Sequence, residues 1–255
     1  MSSGLLFRTF RQMQSVDLGF TERRALTFEL GLPRTRYETH AAAEAFVDEL
    51  LERLAALPGV ASVGAVAPQC LPLDSDMCWG EPLSVEGRPT AEGEVPPVVG
   101  VRLVAGDYFA TLGIPVRGRL ADGGGREVVV SEATALACFG VEDPIGRRVG
   151  FSGTDQWYTV VGVAENVRAQ ITTEDFQRLF HLATTDDPQP GPTPHGMTYV
   201  VKTTLPPEAL TPAVRRAVAE LDQGVPLAKV RSLETLVAQP RLPPSSRSPW
   251  WAAPR

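Results

Sequence analysis

The sequence is poor in almost everything that chemistry requires. Its three histidines, His40, His181 and His195, are scattered and show no HExxH or equivalent ligand spacing, so no metal site is read from them. The three cysteines, Cys70, Cys78 and Cys138, include no CxxC pair, which removes zinc-ribbon and dithiol redox readings. There is no GxSxG elbow, no GxGxxG fingerprint and no phosphate loop ending in GK[ST]. The one dense glycine run, at 123–125, has no strand leading into it and reads as a turn. Positive charge is also short: 24 Lys and Arg face 30 Asp and Glu, a net charge of -6, which argues against a nucleic-acid partner. No apolar run approaches the roughly 18 residues of a membrane span, and the first residues hold too short an apolar core for an export signal. No catalytic, cofactor-binding or metal-binding residue, and no cofactor, emerges.

What is present is an ordinary globular balance, with 43% hydrophobic and 21% charged residues. A chain of 255 residues holds one large domain or two smaller ones. The stretch RALTFELGL alternates apolar and polar residues and predicts a strand ending before Pro33. A helix follows in THAAAEAFVDELLERLAALPG, with Thr39 as cap, Phe46, Leu50, Leu54 and Leu57 on one face, and Pro58-Gly59 as stop. VASVGAV is the next strand. PLSVEG, VVGVRLV, REVVVS and YTVVGVAENV are further strands, with a helix in EATALACFG. The proline-rich TTDDPQPGPTPHG is a long surface connection. Beyond it come a strand in MTYVVKTT, a helix in PPEALTPAVRRAVAELDQG lined by Val214, Val218 and Leu221, a strand in VPLAKVRS and a last helix in LETLVAQ. Two strand-helix-strand units flanking a central block predict an α+β fold: a discontinuous domain with a second, mixed subdomain inserted.

GDYFATLGIPVRGR, residues 106–119, is the most marked stretch, yet it holds no reactive pair. Asp107 can cap a short helix, Gly113 suits the left-handed residue that ends it, and Pro115 prevents continuation. Tyr108 and Phe109 are therefore expected to be at least partly buried at a packed corner, with Gly113 at positive φ.

Candidate polar residues read as structural. Ser131 sits between an apolar strand and a helix but lacks flanking glycines, so it reads as an N-cap. His40 and His195 are expected to be solvated. The acid pairs Asp48 with Glu52, and Asp74 with Asp76, are expected to be solvated charge. Cys70 and Cys78 flank the polar loop CLPLDSDMC and can pair in an oxidising compartment, but spacing alone does not establish geometry, and free loop thiols are expected.

Seven stretches occur together in register: residues 4–37, LLERLAALPGVASVGAVA, LSVEGRP, GDYFATLGIPVRGR, VEDPIGRRVGF, YTVVGVAENVR and LVAQPR. Together they resemble the MacB-like periplasmic core domain of ABC transporter permeases, in the branch of the FtsX-like superfamily with duplicated permease halves, over residues 4–241. The resemblance implies a non-enzymatic extracytoplasmic domain, on the periplasmic side of the inner membrane, that passes ATP-driven movement of transmembrane helices to a periplasmic adaptor or cargo. It implies as partners the permease helices and a separate ATPase subunit. Its divisions would be a juxtamembrane-like segment at 1–23, a porter-like subdomain at 24–104 and 196–238, an inserted subdomain at 105–195 and a disordered tail at 239–255. The strand at 197–204 should then pair within the same sheet as those near 25–31 and 60–66. The helices at 41–57 and 206–222 should share one face, leaving 105–195 as a separate lobe. Relatives run from and into transmembrane helices, whereas this chain closes on LPPSSRSPWWAAPR. The expectation is a truncated or frame-shifted fragment whose tail makes no contact with the core and can be deleted without loss of stability. Two rivals stand beside this reading: a free-standing soluble binding module, and a hydrolase built on Ser131.

Overall fold

The structure, a computed structural model, describes residues 18–68, 70–73, 79–88, 93, 95–121, 126–168, 179–183 and 193–238. Four strands form its first layer: β1 (Ala25–Gly31), β2 (Val60–Val66), β10 (Gly196–Thr203) and β11 (Ala228–Ser232). They lie in the order β11-β1-β10-β2, and every neighbour is antiparallel. It follows that β1 runs parallel to β2 with β10 between them, and β10 runs parallel to β11 with β1 between them. These are two interlocked split βαβ units, crossed by helix α1 (His40–Ala55) and helix α4 (Thr211–Leu221).

Each helix begins where the sequence allows it. The Thr39 side chain accepts a hydrogen bond from the Ala42 N–H and caps α1. Pro212 stands in the first turn of α4, where its missing N–H costs nothing. Ala43, Phe46, Val47, Leu50, Leu51 and Leu54 bury one face of α1, and Val214, Ala217 and Val218 that of α4. The two helices lie side by side, joined on the outside by Arg53 and Glu220 at 3.5 Å. Successive residues of β1 and β10 are buried, so both faces of the layer are covered. The strand expected at 197–204 thus shares a sheet with β1 and β2, and pairs directly with both.

The central block closes on itself. Strands β3 (Trp79–Val85), β4 (Val98–Gly106), β6 (Glu127–Ser131), β7 (Arg148–Phe151), β8 (Trp157–Ala164) and β9 (Leu179–Ala183) pair in the ring β4-β3-β7-β8-β6-β9, and β9 returns to β4. Leu83, Val99, Val128, Val149, Tyr158 and Val160 converge from five of these strands on one apolar cluster, which fills the ring as side chains fill any small barrel. Helix α3 (Glu132–Phe139) adds Phe139 to that cluster. A short strand, β5 (Val116–Gly118), extends the edge of β8. β5, β7 and β9 lie outside the sequence expectation, because runs of three to five residues carry too little alternation to register.

The corner at 106–119 is packed as expected. Tyr108 and Phe109 begin helix α2 (Tyr108–Leu112), both are buried, and their rings meet edge to face at 5.3 Å. Gly113 has φ 66°, the left-handed conformation that ends the helix. One detail differs: the Asp107 side chain makes no cap bond, and its carbonyl instead accepts from the Thr111 N–H. The two cores do not part between residues 104 and 105. Leu83 and Val99 pack inside the barrel, whereas Tyr108, Phe109, Leu112 and Ile114 pack in the core of the first layer. The reason is β4, which runs from one core to the other.

Close approach of α2 to β2 depends on Gly64, where an added Cβ would lie 2.6 Å from the Tyr108 nitrogen and closer still to its Cα. Gly64→Ala should lower stability by about 1–3 kcal/mol through overpacking. Gly31→Ala, with open space around the new Cβ and no positive φ, should be neutral or slightly stabilising. Urea unfolding of the two variants reads the contrast, and equal stabilities would contradict the packing.

Candidate functional site

The polar residues singled out in the sequence are engaged structurally. Ser131 is 1% exposed; its Oγ accepts from the Thr134 N–H at 3.2 Å and bonds the Thr134 hydroxyl at 3.1 Å. It is the N-cap of α3, and an oxygen so placed is closed to a substrate carbonyl, which removes the hydrolase reading. His195 is buried rather than solvated. Its Nε2 donates to the Tyr37 carbonyl at 2.7 Å, Nδ1 meets the Thr193 hydroxyl at 3.1 Å, and its own carbonyl accepts from Leu32. His40 is half-buried at the start of α1 rather than fully solvated. Asp48 and Glu52 are exposed as expected; partial burial and then the neighbouring Glu52 raise the Asp48 carboxyl above its usual range.

Cys70 corrects another expectation: it is buried and disulfide-bonded. Cys78, Asp74 and Asp76, the side chain of His181, and the tail from residue 239 lie outside the described residues. Among the described residues no cluster of His, Cys, Asp or Glu is placed to hold a metal ion, and no helix is long and apolar enough to cross a membrane.

The arrangement that stands out is a junction of backbone. Residues 18–21 enter between the α2 corner and the exit of β8. The Thr21 N–H donates to the Leu112 carbonyl at 2.7 Å, and the Arg168 N–H donates to the Leu18 carbonyl at 3.1 Å. Leu18 and Phe20 point into the first core. Gly19, at φ 77°, lies so close to Asn166 and Val167 that a Cβ would strike the Asn166 carbonyl and meet the Val167 Cα at 3.0 Å. On its other side Asn166 reaches the barrel: its Oδ1 accepts from the Ala133 N–H in the first turn of α3 at 2.7 Å. The Glu165 N–H donates to the Pro115 carbonyl at 2.9 Å and completes the ring of contacts. The N-terminal segment thus packs in the first core and lies against the backbone of Asn166, whose side chain in turn bonds the barrel's helix α3. The junction's residues lie within three of the stretches that carry the family resemblance, but no reactive side chain marks them as a site, because most of the bonds are made by main-chain atoms.

A second cluster fixes the end of α4 to the loop after β1. The Asp222 carboxylate accepts from the Gly224 N–H at 2.8 Å, the Arg36 guanidinium at 2.7 Å and the Tyr37 hydroxyl at 3.0 Å. The Gly224 N–H first, then Tyr37 and Arg36, hold its carboxyl below the usual range. Burial, then the hydrogen bond to Asp222, raises the Tyr37 phenol. Tyr108 is pushed up to about 12 by burial, against a small opposing pull from Arg102.

These features define an α+β domain whose split βαβ layer and barrel are joined through a shared strand and an N-terminal junction. The chain belongs to the MacB-like periplasmic core domain family, whose model matches residues 10–221. Domains of this family are the non-catalytic periplasmic parts of ABC-type permeases, and the ATPase is a separate subunit. The periplasmic region of MacB from Actinobacillus actinomycetemcomitans has the same fold, with a TM-score of 0.54 at 14% identity over 88% of this chain and 95% of that one. A domain ascribed to a permease protein from Porphyromonas gingivalis gives 0.50 at 16% identity, over 83% and 90%. No curated protein matches the chain.

Two outcomes follow from the site. Ser131→Ala should cost about 1 kcal/mol through loss of a cap. Thermal unfolding and amide exchange in residues 132–134 measure it, and an unchanged midpoint would contradict the cap. Asp222 has a carboxyl depressed in the fold, so its stabilisation is present above the ordinary value of 3.8 and fades as pH falls below it. Asp222→Asn should therefore flatten the acid limb of stability against pH below that value, read from melting midpoints, while the neutral-pH difference remains.

Proposed function

We propose that this domain transmits ATP-driven movement of permease transmembrane helices to a periplasmic adaptor or cargo. The carrying observation is the junction at residues 18–21, where a segment entering from the N-terminal side bonds α2 of the first core and packs against Asn166, whose side chain bonds α3 of the barrel. A load on that segment is resisted by buried apolar contacts and by main-chain hydrogen bonds, which have little slack in a close-packed interior. In this reading the described contacts are non-catalytic and the work comes from the separate ATPase. The porter-like subdomain takes the split βαβ layer, the inserted subdomain takes the barrel, and β4 belongs to both.

Amide exchange tests the mechanical part. Gly19→Ala should raise exchange in both 110–114 and 131–135 relative to Gly31→Ala; a change confined to 18–21 and 165–168 would defeat the relay. Fractionation tests the cellular part. A tagged chain produced at native level in its own organism should be recovered with membranes, together with an ATP-binding subunit. Recovery as a soluble species without that subunit would favour the free-standing binding module, or a truncated, non-functional fragment, instead.

A further inference from the structure

Helix α3 is apolar on both sides. Its inner side gives Ala135, Cys138 and Phe139 to the barrel core. Its outer side exposes Leu136 at 66% together with Ala137, and just past its end Gly140 and a fully exposed Val141. No charged residue interrupts residues 133–141. A short surface helix ordinarily keeps one polar face, and this one keeps none.

Charge is instead collected at the two ends. At the N-terminal end Glu132 is exposed and has no ion-pair partner among the described residues. At the C-terminal end three guanidinium groups gather around two carboxylates. Arg88 and Arg147 share Glu142, at 2.6 and 3.2 Å, and Arg117 reaches Asp143 at 3.2 Å. Arg88 also lies over the Phe139 ring and donates to the Cys138 carbonyl, so this positive surplus is fixed at the helix end.

We propose that the exposed face of α3 pairs with the same face of a second copy of this chain, the two helices lying antiparallel about a twofold axis near Leu136 and Ala137. Antiparallel pairing is the arrangement the charges select. It sets the free Glu132 of each copy against the arginine surplus of the other, whereas parallel pairing would set arginines against arginines. An isologous contact uses one surface twice, so a single face that is apolar in the middle and opposite in charge at its ends is complementary to itself. Ala137 and Gly140 keep the surface low, which lets the helices approach closely. The contact is small beside the roughly 800 Å² per partner of a stable interface, so the dimer is weak in free solution. It strengthens when two copies are held near one another, where effective concentrations reach the order of millimolar. This inference does not depend on the transmission role.

Cross-linking tests it in the full chain. In a Cys138→Ser background, Ala137→Cys places a thiol beside the proposed axis, and Glu208→Cys places one on an exposed turn of the other layer as control. With a short bismaleimide at a few hundred micromolar protein, Ala137→Cys should form covalent dimer at least ten-fold faster than the control. Adding Glu132→Arg should remove most of that excess, and combining it with Arg147→Glu should restore part of it, since each altered end again meets its opposite. Melting midpoints check that every variant is folded. Equal cross-linking at the two positions, or an excess that Glu132→Arg leaves intact, would overturn the proposal; the first is also the result expected if α3 receives a different protein.

Discussion

Everything in this structure depends on how one strand divides its hydrogen bonds. Along one edge of β4, residues 98–101 pair with β3 and residues 104–106 pair with β2. Along the other edge, residues 100–104 pair with β9 without a break. The first pairing belongs to the barrel, the second to the split βαβ layer, and the third spans the handover. Neither core could close without β4: the barrel would lose two neighbouring pairings, and α2 would lose the strand that delivers it onto β2. The nine-residue length of β4 is thus a requirement rather than an accident. Its sequence, VVGVRLVAG, answers with apolar residues on both faces, because each face is covered by one core or the other.

The same division explains what could and could not be read from the sequence. The split βαβ layer was legible because each of its parts is long and periodic. α1 repeats its apolar residues at helical spacing and carries a true cap at Thr39, and β1 and β10 are bounded by turn residues. The corner at Gly113 was legible because positive φ leaves a compositional mark. The closure of the barrel was not, since it rests on β9 pairing in parallel with β4 and antiparallel with β6, and long-range pairings leave no local pattern. The way β4 serves both cores was not legible for a related reason. Residues 98–104 look like one uniform strand, and nothing in their order tells that half serve one core and half the other.

The candidate site was illegible for a deeper cause. Sequence reading finds sites through side chains with distinctive chemistry, such as paired acids, clustered histidines or glycine-rich phosphate loops. Here the junction is made by main-chain donors and acceptors, and its geometry is set by where a side chain is missing. At Gly19 and Gly64 the neighbouring backbone occupies the space a Cβ would need. His195 and Cys70 show the converse failure: His195 was expected to be solvated and is bonded to the distant Tyr37 carbonyl, and Cys70 was expected to carry a free thiol and is disulfide-bonded.

A strand shared in this way has a mechanical consequence. Residues 102 and 103 are the only point where the β2–β3 edge of β4 passes from one partner to the other, and a hinge would naturally fall there. Three features oppose one. β9 pairs straight across the gap, the Ala67 N–H donates to the Leu103 carbonyl at 2.8 Å, and Arg102 is 1% exposed within it. Turning the lobes about that point would break ladder bonds and shift a buried guanidinium. Ion pairs elsewhere, such as Arg36 with Asp222, are at the surface and add little stiffness. With the two cores locked at β4, the proposed load is borne more easily by rigid-body movement of the whole domain than by bending within it. A domain built to close on a ligand would concentrate its weak contacts between the lobes; this one places some of its tightest there.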